Sequence, residues 1–198
     1  MKHETILPHP LLKKYIQYYW LLKFDTDSRV GRTFKMFARK YPRMIFQHTS
    51  GLSAISSNGE SLPLAYLGGL NTSPSDSELS GNLISLFGVK FYPDAINELF
   101  GIIASELVNL TPELINFMPP DLIERVMDTQ DERCKIKLLE DFFLARLFRN
   151  AQSHRFLNVA WQMINANPTW MQLRKLHPML SCSERHFRRR FQERTGYS

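Results

Sequence analysis

The sequence lacks the patterns that identify membrane proteins, secreted proteins and disulfide-rich proteins. Among its 198 residues there are two cysteines, Cys134 and Cys182, and their separation fits neither a redox motif nor a metal site. We expect both thiols to be reduced and buried. The chain has no apolar run of about eighteen residues and no charged-then-apolar leader. These absences predict a soluble, cytoplasmic protein of one or two globular domains.

The signatures of common enzyme classes are also missing. The chain has six histidines, and no two of those in the strand-rich part have ligand spacing such as His-x-His or His-x-x-x-His. His48, on a predicted strand, is expected to be a packed or surface side chain. The sequence has no nucleophile motif, no glycine-rich phosphate loop and no acid pair in a recognisable context. We therefore expect no catalytic residue, no metal and no cofactor.

Positive charge is concentrated in the last 48 residues of the chain. Residues 151–198 contain eight basic and two acidic side chains, which accounts for the whole formal net charge of +6. Residues 1–150 contain 17 of each and are formally neutral. Such asymmetry is typical of a polyanion-binding segment attached to a body with another task.

Hydrophobic periodicity predicts strands in the first hundred residues, after a short helical stretch. In PLLKKYIQYYW, residues 10–20, apolar side chains recur at helical spacing. The next apolar segments are short, rich in aromatic and branched residues, and separated by Gly, Pro, Asn and Ser, as in a sandwich or small barrel. They are RTFKMFAR, PRMIFQH, LPLAYLGG and NLISLFGVKF. The polar stretch NTSPSDSELSGN, residues 71–82, is predicted to be an exposed loop.

From Pro93 on, the periodicity becomes helical. Between residues 131 and 148 an apolar stripe contains Ile136, Leu139, Phe143 and Leu147. Packing in the core is the ordinary role of such a stripe. The alternative is a two-fold subunit interface, and we expect the protein to be a homodimer.

The basic segment ends in SERHFRRRFQERTGYS, residues 183–198, which predicts a two-faced helix. Ser183 suits an N-cap, and Gly196 suits the left-handed position that ends a helix. Phe187 and Phe191 fall on one side at 100° per residue. The side chains on the other side are Arg185, Arg188, Arg189 and Gln192.

A second apolar-periodic unit precedes this helix, in TWMQLRKLHPML. The Ser181-Cys182 link between the two units has the length of a tight turn, so together they predict a helix-turn-helix. Arginine donates two hydrogen bonds to guanine, and glutamine suits adenine. The phenylalanine face would anchor the helix so that these side chains enter the major groove of double-stranded DNA.

These residues resemble the first helix-turn-helix of AraC/XylS-type transcription regulators, whose pattern is Leu-Ala, then Ser-x-Arg-x-Leu-x-Arg-x-Phe and Gly-x-Ser. The resemblance makes Leu176 the helix leucine and Ser183 the cap. Phe187 and Phe191 become core anchors, and Arg185, Arg188 and Arg189 occupy base-facing positions. HPLLKKYIQYYW and FGVKFYPDAINELFG are similar to the opening and closing signatures of a sensor-like domain in one branch of these regulators.

The resemblance implies an α+β protein with a cupin-like β-barrel or sandwich, trailing helices and a helical DNA-binding segment. We expect a cupin-like sensor domain at 1–104, a helical linker or dimerisation region at 105–150 and a partial helix-turn-helix domain at 151–198. The sequence departs from the pattern at His177, Pro178 and Ser181. The pattern also continues past Gly-x-Ser into a second helix-turn-helix, so we expect one DNA-contacting module of two, and weak binding.

The sequence therefore predicts a DNA-binding transcription regulator with an N-terminal sensing or dimerisation domain. A protein-interaction module without specific DNA binding is the alternative, and a cupin-type metal enzyme is the weaker one. The sequence identifies neither the effector and its pocket nor the operator.

Overall fold

A computed structural model of the chain describes residues 2–24, 32–36, 40–49, 55–79 and 83–150, together with positions 185, 189 and 192. The strands are β1 (Lys2–Ile6), β2 (Ile16–Lys23), β3 (Arg32–Met36), β4 (Arg43–Thr49), β5 (Ile55–Ser57), β6 (Glu60–Ser61), β7 (Ala65–Gly68), β8 (Ser75–Leu79) and β9 (Leu83–Phe91). The α-helices are α1 (Ala95–Phe100), α2 (Pro120–Asp128) and α3 (Glu132–Asn150). Short 3₁₀ helices occur at Pro10–Leu12, Ala104–Leu107 and Leu114–Asn116.

The described strands form two antiparallel sheets. The larger sheet has the order β1-β2-β9-β4-β7, and the smaller has the order β3-β8-β5-β6. With helices after the strands, this arrangement confirms the predicted α+β class.

Alternation along β9 separates two hydrophobic clusters, one on each face of the larger sheet. Phe87, Val89 and Phe91 belong to the larger cluster, which also includes side chains of α1, α2 and α3. Leu86 belongs to the smaller cluster, on the opposite face, with Ile55 of the second sheet. The larger sheet therefore has helices on one face and faces the smaller sheet with the other.

Helix α3 packs into the core through its apolar stripe, which is the ordinary role of such a stripe. Leu139 and Phe143 are fully buried in the larger cluster. The Phe143 ring meets those of Phe91 and Phe100 edge-on, at centroid distances of 5.7 and 6.1 Å. Both residues pack within the core of the chain itself, so they are not available to a second subunit.

Cys134 lies at the N-terminus of α3 and is exposed, so the expectation that it is buried is wrong. The Asp131 carboxylate accepts a hydrogen bond of 2.8 Å from the backbone N–H of Cys134, which caps the helix. The Cys134 side chain is exposed in the first turn. Its hydrogen bond with Asp131 and the negative charge there raise the pKa of the thiol, so it is not an activated nucleophile.

Two other expectations about the fold are wrong. Residues 10–20 form a 3₁₀ turn followed by β2, and not a helix. A register shift between Ile16 and Tyr18 breaks the alternation of β2, so that Ile16 and Tyr19 both belong to the larger cluster, three residues apart. The predicted loop at residues 71–82 contains β8, which pairs with β3 and β5 through its backbone although its sequence is polar.

The outer edge of β7 is covered by the segment from Leu107 to Pro112. Three backbone hydrogen bonds join them: Leu67 N–H to Pro112 O at 2.9 Å, Gly69 N–H to Leu110 O at 3.1 Å, and Asn109 N–H to Leu70 O at 2.7 Å. This segment protects the edge of the sheet from pairing with another chain.

Gln47 links the two sheets through a fully buried side chain. Its amide nitrogen donates to the carbonyls of Leu62 and Pro63, at 3.3 and 2.7 Å. Its amide oxygen accepts from the backbone N–H of Ile55, at 3.0 Å. One side chain on β4 thus satisfies buried backbone groups on both sides of the β5–β6 turn.

Replacing Gln47 with leucine should lower the free energy of unfolding by about 2 kcal/mol, because the buried backbone groups lose their partners. Urea denaturation followed by circular dichroism measures the change. Gln17→Leu is the matched control, since Gln17 makes one 3.3 Å bond to the Phe91 carbonyl. Equal losses in the two variants would contradict the role assigned to Gln47.

Candidate functional site

A cavity of about 470 Å³ lies between the two sheets. Its walls come from β1, β2, β4, β7 and β9 of the larger sheet and from β5 and β8 of the smaller one. This volume lies in the range usual for small-molecule sites. The side chains on which its chemistry depends are Tyr18, Trp20, Tyr41, Arg43, Tyr66 and Lys90.

The strand register brings these side chains together in two rows across the sheet. In the first row Lys90 lies opposite Tyr18 on one side and opposite Arg43 on the other. In the second row Gly88 lies between Trp20 and Ile45, and Ile45 lies opposite Tyr66. Because side chains directly opposite each other are neighbours on one face of a sheet, the first row is cationic and the second is largely aromatic.

The absence of a side chain at Gly88 allows the Trp20 indole to lie against the sheet. A Cβ atom at position 88 would be 2.5 Å from Trp20 Cε2 and Cζ2, and 2.7 Å from the Met44 carbonyl oxygen. Any other residue would therefore push the indole away from β9. Gly88 thus fixes the position of the aromatic surface that Trp20 contributes to the cavity wall.

The Lys90 ammonium group lies near two aromatic rings. Its Nζ atom is 5.2 Å from the ring centroid of Tyr18 and 4.7 Å from that of Tyr41. These cation–π contacts hold the ammonium beside the cavity without neutralising its charge.

Arg43 places a second cation directly across from Lys90. Burial lowers the pKa of its guanidinium, while Tyr66 and Tyr18 act in the opposite direction. Its Nη2 atom is buried and has no hydrogen-bond partner in the described part of the chain. A buried donor without a partner costs about 1 to 3 kcal/mol. In residues 2–148, where the structure describes them, no carboxylate forms an ion pair with Arg43 or Lys90.

Tyr66 contributes a neutral hydroxyl to the cavity wall. Burial raises the pKa of Tyr66 to about 12, although the charge of Arg43 acts against this increase. The phenol is therefore protonated at neutral pH and can donate a hydrogen bond. Arg43 and Tyr66 also line a second, more polar cavity of about 360 Å³ beside the first.

The structure describes three of the five residues predicted to contact DNA. Arg185, Arg189 and Gln192 have helical backbone conformation and exposed side chains. Their spacing of four and three residues is that of one face of an α-helix. Arg188 and Ser183 lie outside the described residues, as do the helix predicted upstream and Cys182.

The cavity residues were not identified from the sequence, because they come from strands that are distant along the chain. A signal is nevertheless present in LISLFGVKF and RMIFQHT, where a lysine and an arginine interrupt apolar strands. A cation on the buried face of a strand is uncommon unless something offsets its charge.

The described residues also bear on metal binding and on membrane crossing. Within the described ranges, no three side chains of His, Cys, Asp or Glu come together in a way that would hold a metal ion. His48 is half-buried on β4, as expected of a packed or surface histidine. None of the described helices combines the length and the apolar character needed to cross a bilayer.

Comparison with known proteins gives one family. The model of DUF6597, a domain of unknown function, matches residues 4–113, which include β2 to β9, most of β1 and all of the cavity lining except His3. No curated protein and no solved structure matches the chain.

Proposed function

Since the chain belongs to the DUF6597 family, we propose that it is a transcription regulator in which the family domain binds a small molecule and the basic segment at 151–198 binds DNA. The observation that carries the proposal is the cavity between the two sheets. It combines a volume of about 470 Å³ with aromatic walls and two cations that no described carboxylate neutralises. Such a cavity is the usual form of a ligand site.

Two observations support DNA binding by the basic segment. The whole net charge of +6 is located there, whereas the first 150 residues are neutral. The exposed side chains of Arg185, Arg189 and Gln192 have the spacing of one helix face. A helix that presents arginine and glutamine in this way suits the major groove.

The resemblance to AraC/XylS-type regulators supports the same function. It assigns a cupin-like domain to residues 1–104 and a helix-turn-helix to residues 151–198. It makes Arg185, Arg188 and Arg189 base-facing and Ser183 the helix cap. A regulator of this kind contains no catalytic centre, so its activity is measured as binding.

The position of α3 offers a route from the cavity to the basic segment. Lys90 lines the cavity, and the next residue, Phe91, contacts Phe143 of α3 on the opposite face of β9. Helix α3 ends at Asn150, where the basic segment begins. A ligand that displaces β9 would therefore act directly on the helix that leads to the DNA-binding segment.

We expect the full chain to bind duplex DNA, and we expect binding to weaken by about 40-fold when the salt concentration is raised fourfold, as for three phosphate contacts. Fluorescence anisotropy of a labelled duplex measures this. Arg185→Ala together with Arg189→Ala should weaken binding by about tenfold and relax the preference among duplex sequences.

Arg125→Ala together with Arg133→Ala is the matched control, because both are exposed arginines outside the basic segment and the same charge is removed. If the control lost as much DNA binding as the Arg185/Arg189 variant, the loss would be an effect of net charge alone. Absence of DNA binding by the unaltered chain would instead favour a protein-interaction module.

A further inference from the structure

We infer that the ligand of the cavity is a small organic anion, with a carboxylate held between Arg43 and Lys90 and an apolar body against Trp20 and Tyr66. This inference rests on the proposed sensing function and specifies the chemistry of its ligand. It follows from the placement of charge in the cavity and not from the resemblance to other regulators.

Two cations face each other in the cavity without a counter-ion from the described part of the chain. Arg43 and Lys90 are directly opposite on adjacent strands, and both line the cavity. Like charges in this position repel each other. Where the structure describes the chain, neither cation has an ion-pair partner. An anion between them would remove the repulsion and give both cations a partner.

The Arg43 guanidinium has one nitrogen, Nη2, that is buried and makes no hydrogen bond in the described part of the chain. A carboxylate suits a guanidinium because its two oxygens accept two parallel N–H bonds. The neutral Tyr66 hydroxyl beside it adds a further donor.

The remaining walls of the cavity determine what the rest of the ligand can be. Away from the cation row, the lining also includes His3 and Lys40 but is mostly apolar, from Trp20, Leu22, Ile45, Ile55, Leu79 and Leu86. The absence of a side chain at Gly88 allows the Trp20 ring to lie close to β9. These surfaces suit an aromatic or branched body and not a sugar or a polyphosphate. The polar and apolar walls together select a carboxylate that carries one apolar group.

The test compares acids with neutral amides of the same shape. Phenylacetate and indole-3-acetate are titrated into the full chain by calorimetry, each beside phenylacetamide or indole-3-acetamide. The affinity of at least one acid should exceed that of its amide by about tenfold or more. Equal affinity for acid and amide, or no binding of either acid at about 10 mM, would overturn the inference.

Substitutions in the cavity show whether the preference for the acid over the amide arises there. Arg43→Gln and Lys90→Gln should each reduce the preference for the acid to about threefold or less. Lys90→Gln is the more secure variant for folding, since Lys90 is half-buried and makes no hydrogen bond in the described part. Lys35→Gln, an exposed lysine on β3, is the control and should retain the preference. A preference that survives both cavity substitutions would exclude this site.

The same titrations with labelled DNA separate this inference from the proposed function. If the acid binds but DNA affinity does not change, the ligand class stands and the regulatory role fails. If acid and amide change DNA affinity equally, the sensing function stands and the anion inference fails.

Discussion

Replacing Phe143 with alanine should lower the free energy of unfolding by about 3 to 5 kcal/mol, the cost usual for a fully buried phenylalanine. The ring is completely buried and lies edge-on to Phe91, Phe100 and Phe142. Its loss removes buried apolar area and three aromatic contacts, and it leaves a cavity between α3 and the sheet. The change should appear as a lower midpoint in urea denaturation.

Phe148→Ala is the matched control on the same helix. Phe148 is 74% exposed, so its truncation should change stability by about 0.5 kcal/mol or less. If Phe143→Ala had as small an effect as Phe148→Ala, α3 would not be part of the core. Analytical ultracentrifugation of both variants shows whether either substitution acts through association of subunits.

Replacing Gly69 with alanine should cost about 3 kcal/mol, because the added methyl group meets backbone and not a movable side chain. The new Cβ would overlap the carbonyl oxygen of Leu107 and lie 2.5 Å from its carbonyl carbon. The segment from Leu107 to Pro112 would have to leave the edge of β7, with loss of its hydrogen bonds. Thermal unfolding followed by circular dichroism measures the loss.

Gly68→Ala tests the same substitution one residue earlier. There the nearest atom to a new Cβ is Arg43 Cγ at 3.6 Å, an ordinary van der Waals contact. We expect a change of about 1 kcal/mol or less. Similar costs at positions 68 and 69 would show that the Leu107 segment moves freely, which would contradict the close packing described.

The elements that could be predicted from the sequence are those with long, regular apolar patterns. Helix α3 has a stripe of helical period over eighteen residues, and β4 and β9 are rich in branched and aromatic side chains. Strand β8 could not be predicted in this way because SDSEL contains a single apolar residue, and backbone pairing holds it in place. The bulge in β2 produced a false helical spacing.

The cavity could not be predicted because it depends on strand register. Tyr18, Arg43 and Lys90 become neighbours only when β4 and β2 pair with opposite sides of β9. No local pattern in the chain encodes those pairings. The role of Gly88 likewise depends on a tryptophan from another strand. Cations within apolar strands indicate that something must offset their charge, but they do not indicate which other strands contribute.

The two-sided construction of the larger sheet separates the lining of the cavity from the attachment of the helices. Odd-numbered positions of β9, such as 87, 89 and 91, pack against the helices, whereas 86, 88 and 90 face the cavity. Exchanges at even-numbered positions can therefore alter the cavity lining while the attachment of the helices is preserved. On the proposed sensing function, a few replacements at these positions would be enough to change which compound the domain binds.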